Sequence, residues 1–191
     1  MMTKPKEWTT ETSQDVDMAD RRPGDRDDWV PIEGFPGYSI NPLGQVVRDS
    51  TGRLLIPRYN QDGVPYVGLM REWSQCIRSL PRLVAMAFLQ SPSEIFDTPI
   101  QIDGDRSNCR ADNLMWRPRW YAVLYNRQFT KERYEAPIDE PIRAINERER
   151  FPDSLSAACR YGLLEREVVL SIVNNTPAWP TYQSFELVTM R

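Results

Sequence analysis

The 191-residue chain contains no histidine. That absence excludes any site in which an imidazole takes a proton at neutral pH, and with it the His-dependent catalytic triads. Three cysteines, Cys76, Cys109 and Cys159, are widely spaced and form no Cys-x-x-Cys pair. Without histidine or paired cysteines the chain lacks the usual ligands of a zinc site, so no metal is expected. The odd, scattered thiols suit a reducing compartment. No apolar run approaches the roughly 20 residues that span a bilayer, so no membrane partner is expected. A P-loop, a dinucleotide glycine pattern and a Gly-x-Ser-x-Gly elbow are also missing, and no cofactor is implied. Bulk positive charge is absent too. The net charge is −3, and residues 1–28 hold all of it, with eight acids against five bases, so residues 29–191 are formally neutral. A nucleic-acid binder ordinarily shows a basic face; any such face here must be local.

What is present is enough chain for one large or two small domains. Sixteen prolines against nine glycines predict short elements joined by stiff turns. Residues 1–28 are polar and charged, with Trp8 as their only aromatic anchor, and read as a disordered acidic tail whose Trp8, Val16 and Met18 would order on a partner. They resemble neither a secretory signal nor a transit peptide, so a cytoplasmic location is the expectation.

Three modules are expected after the tail. In 29–80, Pro and Gly punctuate short apolar pieces and predict small antiparallel strands: Tyr38–Ile40 and Gln45–Arg48 around the Asn41-Pro-Leu-Gly44 turn, then Leu54–Ile56, Tyr66–Met70 and Ile77–Leu80. In 81–135, Pro81–Phe88 reads as a helix with proline in its first turn. A strand at Pro99–Ile102, a turn-rich loop, a strand at Asp112–Trp116 and a closing helix at Trp120–Asn126 follow. In 141–191 a strand at Pro141–Ile145 precedes a helix capped by Ser154. A turn at Gly162, a helix over Glu165–Asn174 that buries Val168, Val169, Ile172 and Val173, and a strand at Tyr182–Val188 complete the module. Helix, glycine turn, helix is the helix-turn-helix pattern. The fold class is α+β.

Residues 100–116, Ile-Gln-Ile-Asp-Gly-Asp-Arg-Ser-Asn-Cys-Arg-Ala-Asp-Asn-Leu-Met-Trp, resemble the signature of phage and intron HNH homing endonucleases. Trp29, Pro31-Ile32, Gly34, Gly37-Tyr38, Ile40, Gly44 and Val46, with Arg82-Leu-Val-Ala-x-Ala-Phe88, resemble the NUMOD-type DNA-binding module found beside those nucleases. One departure is Pro81, where that family commonly has histidine. The last module is similar to the family's C-terminal helix-turn-helix. The resemblance implies a ββα, His-Me-finger-like centre. It also implies a phage or mobile-element origin, with the host cytoplasm or the virion as location.

The resemblance also places the family's chemistry residue by residue. The metal-ligating position before the base is Ile100, the base is Gln101, and the second ligand, six positions after Trp116, is Ala122. An aliphatic side chain ligates nothing, and an amide has no useful pKa near neutrality. The expectation is therefore a chain that is not an enzyme. Asp103, Gly104, Asn108, Asn113 and Trp116 are read as scaffold of the motif. The rival reading, an active metal-dependent nuclease, has Asp103, Asp105 and Asp112 form a rearranged metal site.

Candidate DNA-contacting residues are Arg106, Arg110, Arg117, Arg119, Arg127 and Lys131, interleaved with Trp116, Trp120, Tyr121 and Tyr125, together with Arg166. Against DNA stand Glu165 and Glu167 at the start of the reading helix, where carboxylates would repel phosphates. Two functions stay open: an inactive endonuclease-like protein that binds DNA, a protein partner or both, and a structural or inhibitory component of an assembly that uses the fold without DNA.

Overall fold

A computed structural model describes residues 28–129 and 137–188; the acidic tail expected at 1–28 lies outside them except for Asp28, and so does Lys131. The α+β class expected from the sequence is the one observed: small antiparallel sheets with four helices.

Strands β1 (Val30–Pro31), β2 (Tyr38–Ile40), β3 (Val46–Arg48) and β4 (Arg53–Leu54) form a four-stranded meander in that order. Asn41 sets the β2–β3 turn. Its Oδ1 accepts from the Gln45 amide at 2.9 Å and its Nδ2 donates to Gln45 Oε1 at 2.8 Å. This fixes the register Tyr38↔Arg48 and Ile40↔Val46.

A second sheet runs β5 (Arg58–Tyr59), β6 (Pro65–Arg71), β7 (Ser74–Ser79). In β6, Pro65, Val67 and Leu69 point inward and Met70 outward, the alternation of a half-buried strand. β7 begins three residues before the expected Ile77. The reason is a two-residue hairpin turn at Glu72-Trp73, which pairs Arg71 with Ser74 directly.

Helix α1 (Leu80–Phe88) sets Leu80, Leu83, Val84 and Ala85 against both sheets. β8 (Thr98–Gln101) and β9 (Leu114–Arg117) then form a two-stranded ribbon, with Ile100 opposite Met115 and Gln101 opposite Leu114. One apolar core joins Ile32, Ile40, Leu69 and Val84 to Leu114 and Trp116. The N-terminal sheets and the loop between β8 and β9 thus rest on one packed body. Helix α2 (Arg119–Arg127) closes over the ribbon through Tyr121, Ala122 and Tyr125, in a second cluster with Ile100 and Leu164.

The C-terminal part pairs β10 (Ile142–Ala144) with β11 (Arg150–Phe151) and with β12 (Phe185–Leu187) around α3 (Ser154–Tyr161) and α4 (Glu165–Asn174). Two local expectations change here. The cap of α3 is Asp153, whose carboxylate accepts from the Ser156 amide at 2.7 Å; a carboxylate one residue upstream reaches the free helical N–H that Ser154 was expected to take. On α4, Val168 and Val169 are buried as expected, but Val173 is 71% exposed because the helix has turned it past the edge of its neighbours.

Candidate nucleic-acid interface

The β8–β9 loop is held by its own amides. Asp103 is the hub: its Oδ2 accepts from Asn108 Nδ2 at 2.7 Å, and its Oδ1 from Asn113 Nδ2 at 2.9 Å and from the Asp105 amide at 2.9 Å. Asn113 Oδ1 accepts from the Asp103 amide at 3.1 Å, and Asn113 Nδ2 also reaches the Asn108 carbonyl. Gly104 has φ +77, and a Cβ there would sit 2.6 Å from the Phe129 ring. Trp116 donates its indole N–H to the Leu89 carbonyl at 3.1 Å, tying the ribbon to the end of α1.

The positions that would carry HNH chemistry are enclosed. Ile100 is fully buried, Ala122 is buried on α2, and Gln101 is buried with Nε2 donating to the Arg106 carbonyl at 3.2 Å. A divalent cation needs oxygen or imidazole ligands in one place, and this set supplies an isoleucine, an amide already engaged and an alanine. The three nearby carboxylates are occupied separately. Asp103 holds the loop, and Asp112 is bridged by Arg110, whose Nε and Nη2 lie at 3.1 and 3.0 Å. Asp105 accepts from the Ser107 amide and hydroxyl. Those bonds keep the carboxyls of Asp105 and Asp112 below the ordinary 3.8. Among the described residues no three His, Cys, Asp or Glu side chains gather where they would hold a metal. The donor set does not fit an HNH metal. Asn126 Oδ1, one turn beyond Ala122, is buried without a hydrogen-bond partner, but a lone amide oxygen makes no cation site.

The arginines singled out from the sequence part company. Arg119, Arg127, Arg110 and Arg166 are exposed, though Arg110 is paired with Asp112 and Arg166 with Glu167. Arg106 is half-buried, 3.9 Å from Asp62. Arg117 leaves the DNA-contacting set altogether: it is 4% exposed and spends its donors on the carbonyls of Trp116, Tyr161 and Gly162. Desolvation lowers its pKa from the usual 12.5. Glu165 is also corrected. Its carboxylate is buried and accepts from Ser154 Oγ at 2.7 Å, so it faces α3 rather than solvent and its objection to DNA lapses.

Arginines that the sequence reading missed lie on the N-terminal sheets, on two faces: Arg48 and Arg53 line a cleft with Gly68, and Arg71 and Arg78 stand over Phe35 on the inward side of β6 and β7. Arg48, Arg53, Arg58 and Arg71 are exposed and Arg78 half-exposed; among the described residues none of the five is in an ion pair. Residues 48–78 hold three carboxylates in all, Asp49, Asp62 and Glu72. An open cleft of about 410 Å³ is lined by Tyr38, Arg48, Thr51, Arg53, Ile56 and Gly68. The available signal was the regular spacing of Arg48, Arg53 and Arg58 at strand edges, which bulk charge conceals.

Residues 27–70 match the NUMOD4 motif. Over 89 residues the chain is 34% identical to the H-N-H endonuclease F-TflI of Escherichia phage T5, and the match covers 45% of each protein, so the chain spans less than half of that relative's length. A solved structure titled for DNA binding and cleavage by the HNH homing endonuclease I-HmuI aligns over 85% of this chain and 99% of its own, at 19% identity and a TM-score of 0.48. The relative is by name an endonuclease, hence an enzyme, and this overturns the expectation that the chain is not one. The physical error is plain: a missing imidazole removes one general base, while carboxylates, lysines and tyrosines also serve as bases. Among the described residues no helix is long and apolar enough to cross a membrane. The chain thus carries a NUMOD4 motif over residues 27–70 and is similar, over 89 residues, to a phage H-N-H endonuclease.

Proposed function

We propose that this protein binds duplex DNA, and that the contact is made chiefly by Arg48, Arg53, Arg58, Arg71 and Arg78 on the N-terminal sheets. The observation that supports this best is that, among the described residues, none of the five has a carboxylate partner. Arg110, Arg143, Arg160 and Arg166 elsewhere in the chain each lie beside an acid. Exposed cations without internal partners are free to replace the counterions of phosphates, and arginine does so with two parallel N–H donors. The NUMOD4 match covers three of the five. Arg119, exposed at the start of α2, adds a sixth contact.

The test is binding to a mixed-sequence duplex across a salt series. Each phosphate contact adds about −0.9 to the slope of log affinity against log salt. Arg48→Ala with Arg53→Ala is expected to weaken binding to all sequences and to flatten the slope by about 2. Unaltered affinity and slope in the double variant would show that DNA, if bound, lies elsewhere. Cleavage of DNA is the activity carried by the relative's name, and for this chain it is a proposal to be tested on plasmid with Mg²⁺ or Mn²⁺.

A further inference from the structure

The tip of the β6–β7 hairpin carries a tryptophan that does nothing for the fold. Trp73 is 99% exposed. It sits in a two-residue turn in which Glu72 has φ 49 and Trp73 φ 69. Such turns ordinarily use Asn-Gly or Asp-Gly, because both central residues take the left-handed region that side chains resist. Here a carboxylate and the largest side chain occupy those places, each at a cost of roughly 1 kcal/mol or more. No burial offsets that cost for Trp73. Backbone strain held in a turn that presents a fully exposed aromatic points outside the chain.

The surroundings say what it meets. Arg71 and Arg78 both stand over the Phe35 ring, at 5.7 and 5.0 Å from its centroid. The buried Phe35 thereby holds two like charges on one ring, neither of them in an ion pair among the described residues, an arrangement that an anion beside them relieves. Along β6 toward the cleft beside Arg48 and Arg53, Met70 continues the outward face from Gly68, and Ile77 pairs with Gly68 on that face. From Gly68 to the tip is five residues, roughly 15 Å at the rise of a strand. Arg71, in phase with Val67 and Leu69, and Arg78, paired with Val67, put both cations on the Phe35 side of the hairpin, away from Gly68 and the cleft, with the aromatic tip beyond them, a spacing on the scale that separates the backbone of a duplex from its groove.

We infer that Trp73 is a groove-entering contact: the hairpin tip sets the indole against DNA bases while Arg71 and Arg78 hold the adjacent backbone. This rests on the DNA-binding reading and adds to it a residue that contributes no charge. The Phe35-anchored arginines position the tip, and the two-residue turn keeps it stiff, so little entropy is lost when the ring is inserted.

The experiment uses the full chain, a mixed-sequence duplex and the variants Trp73→Ala and Trp73→Phe. Because Trp73 touches nothing in the fold, both variants are expected to keep the parent's circular dichroism and melting temperature. Trp73→Ala should lose about tenfold in affinity at every salt concentration, the scale of one base–aromatic contact. Its salt slope should equal the parent's, since no phosphate contact is removed. Trp73→Phe should recover most of the loss. The difference in emission between parent and Trp73→Phe isolates Trp73, and saturating duplex should shield that signal from acrylamide. If the parent binds DNA and Trp73→Ala binds equally well with the indole still open to acrylamide, the inference is overturned and the ring faces some other partner. If the parent does not bind duplex, the DNA-binding reading fails and takes this contact with it.

Discussion

Arg117, the last residue of β9, donates from Nη2 to the Tyr161 carbonyl at 2.7 Å and from Nε to the Gly162 carbonyl at 3.0 Å, closing the C-terminal end of α3. The last carbonyls of a helix have no partners within it and carry its partial negative charge. A buried guanidinium there satisfies both needs, and it couples the β8–β9 ribbon to the helix-turn-helix. The approach is close: a Cβ on Gly162 would lie 2.9 Å from Met115 Sδ and 3.2 Å from Arg117 Nη2, at φ +58.

The two sides of that contact give one prediction. Arg117→Met should destabilise the fold by about 3 kcal/mol, because three carbonyls lose a charged donor inside the protein. Gly162→Ala should cost about 2 kcal/mol through left-handed strain and the contacts just named. Urea unfolding measures both. Arg119→Ala is expected to do the reverse, leaving stability alone and flattening the salt dependence of DNA binding. A flattened salt slope in Arg117→Met with unaltered stability would show that the guanidinium does reach phosphate.

The pattern of residues made some elements legible and hid others for identifiable reasons. Tyr38–Ile40 and β3 were readable because Asn41 and Gly44 punctuate them, and α1 because Pro81 and the Leu83–Val84 face mark it. Glu72-Trp73 was not readable as a turn, since neither is a turn former. Arg117 looked like its neighbours Arg110 and Arg119; only the long-range contact with α3 separates it from them, and local sequence does not encode that. Glu165 was misplaced for the same reason, because Ser154 comes to it from another helix. At the loop of 100–116 the residue types could be read, but their bearing on activity could not: absence of one base is weaker evidence than it looked.

Thiol reactivity should follow burial. Desolvation pushes the Cys109 thiol up to about 12 and the Cys159 thiol up to about 11. The thiolate is the reacting form, so both should label slowly at pH 7.5. Cys76 lies half-buried on the second sheet. Brief treatment with a maleimide followed by peptide mass spectrometry should find the label on Cys76 first. Faster labelling of Cys109 would mean that the packing of its side chain against Gly44 opens readily in solution.

The loop carboxylates give a pH dependence with a definite sign. The Ser107 hydroxyl, then its amide, hold Asp105 below 3.8 in the folded chain. A folded pKa below the unfolded one contributes stability that is present above about 3.8 and is lost as pH falls through the lower folded value. Asp105 is exposed, so water screens the effect and the contribution should stay under about 0.5 kcal/mol. Ser107→Ala should move the Asp105 midpoint upward toward 3.8 in a carboxyl carbon NMR titration, with little change in unfolding at pH 7. A midpoint unmoved by the substitution would remove Ser107 as its cause.

Gln101→His separates the base from the metal. The residue is buried, and its amide donates to the Arg106 carbonyl at 3.2 Å, a bond that one imidazole N–H can also make. The variant should therefore fold and place an imidazole where the family's base would stand. It should not cut faster. In a metal-assisted hydrolysis the cation stabilises the leaving oxygen, and Ile100 and Ala122 offer it no ligand. Plasmid nicking in Mg²⁺ is expected to stay within about threefold of the parent chain. Ile100→Asp on top of it should unfold the protein rather than supply a ligand, since it sets a carboxylate into a fully buried apolar place beside Tyr121 and Tyr125. A gain of about tenfold or more from Gln101→His alone would correspond to over 1 kcal/mol of transition-state stabilisation. It would show that the chain holds a cation for hydrolysis through residues other than Ile100 and Ala122.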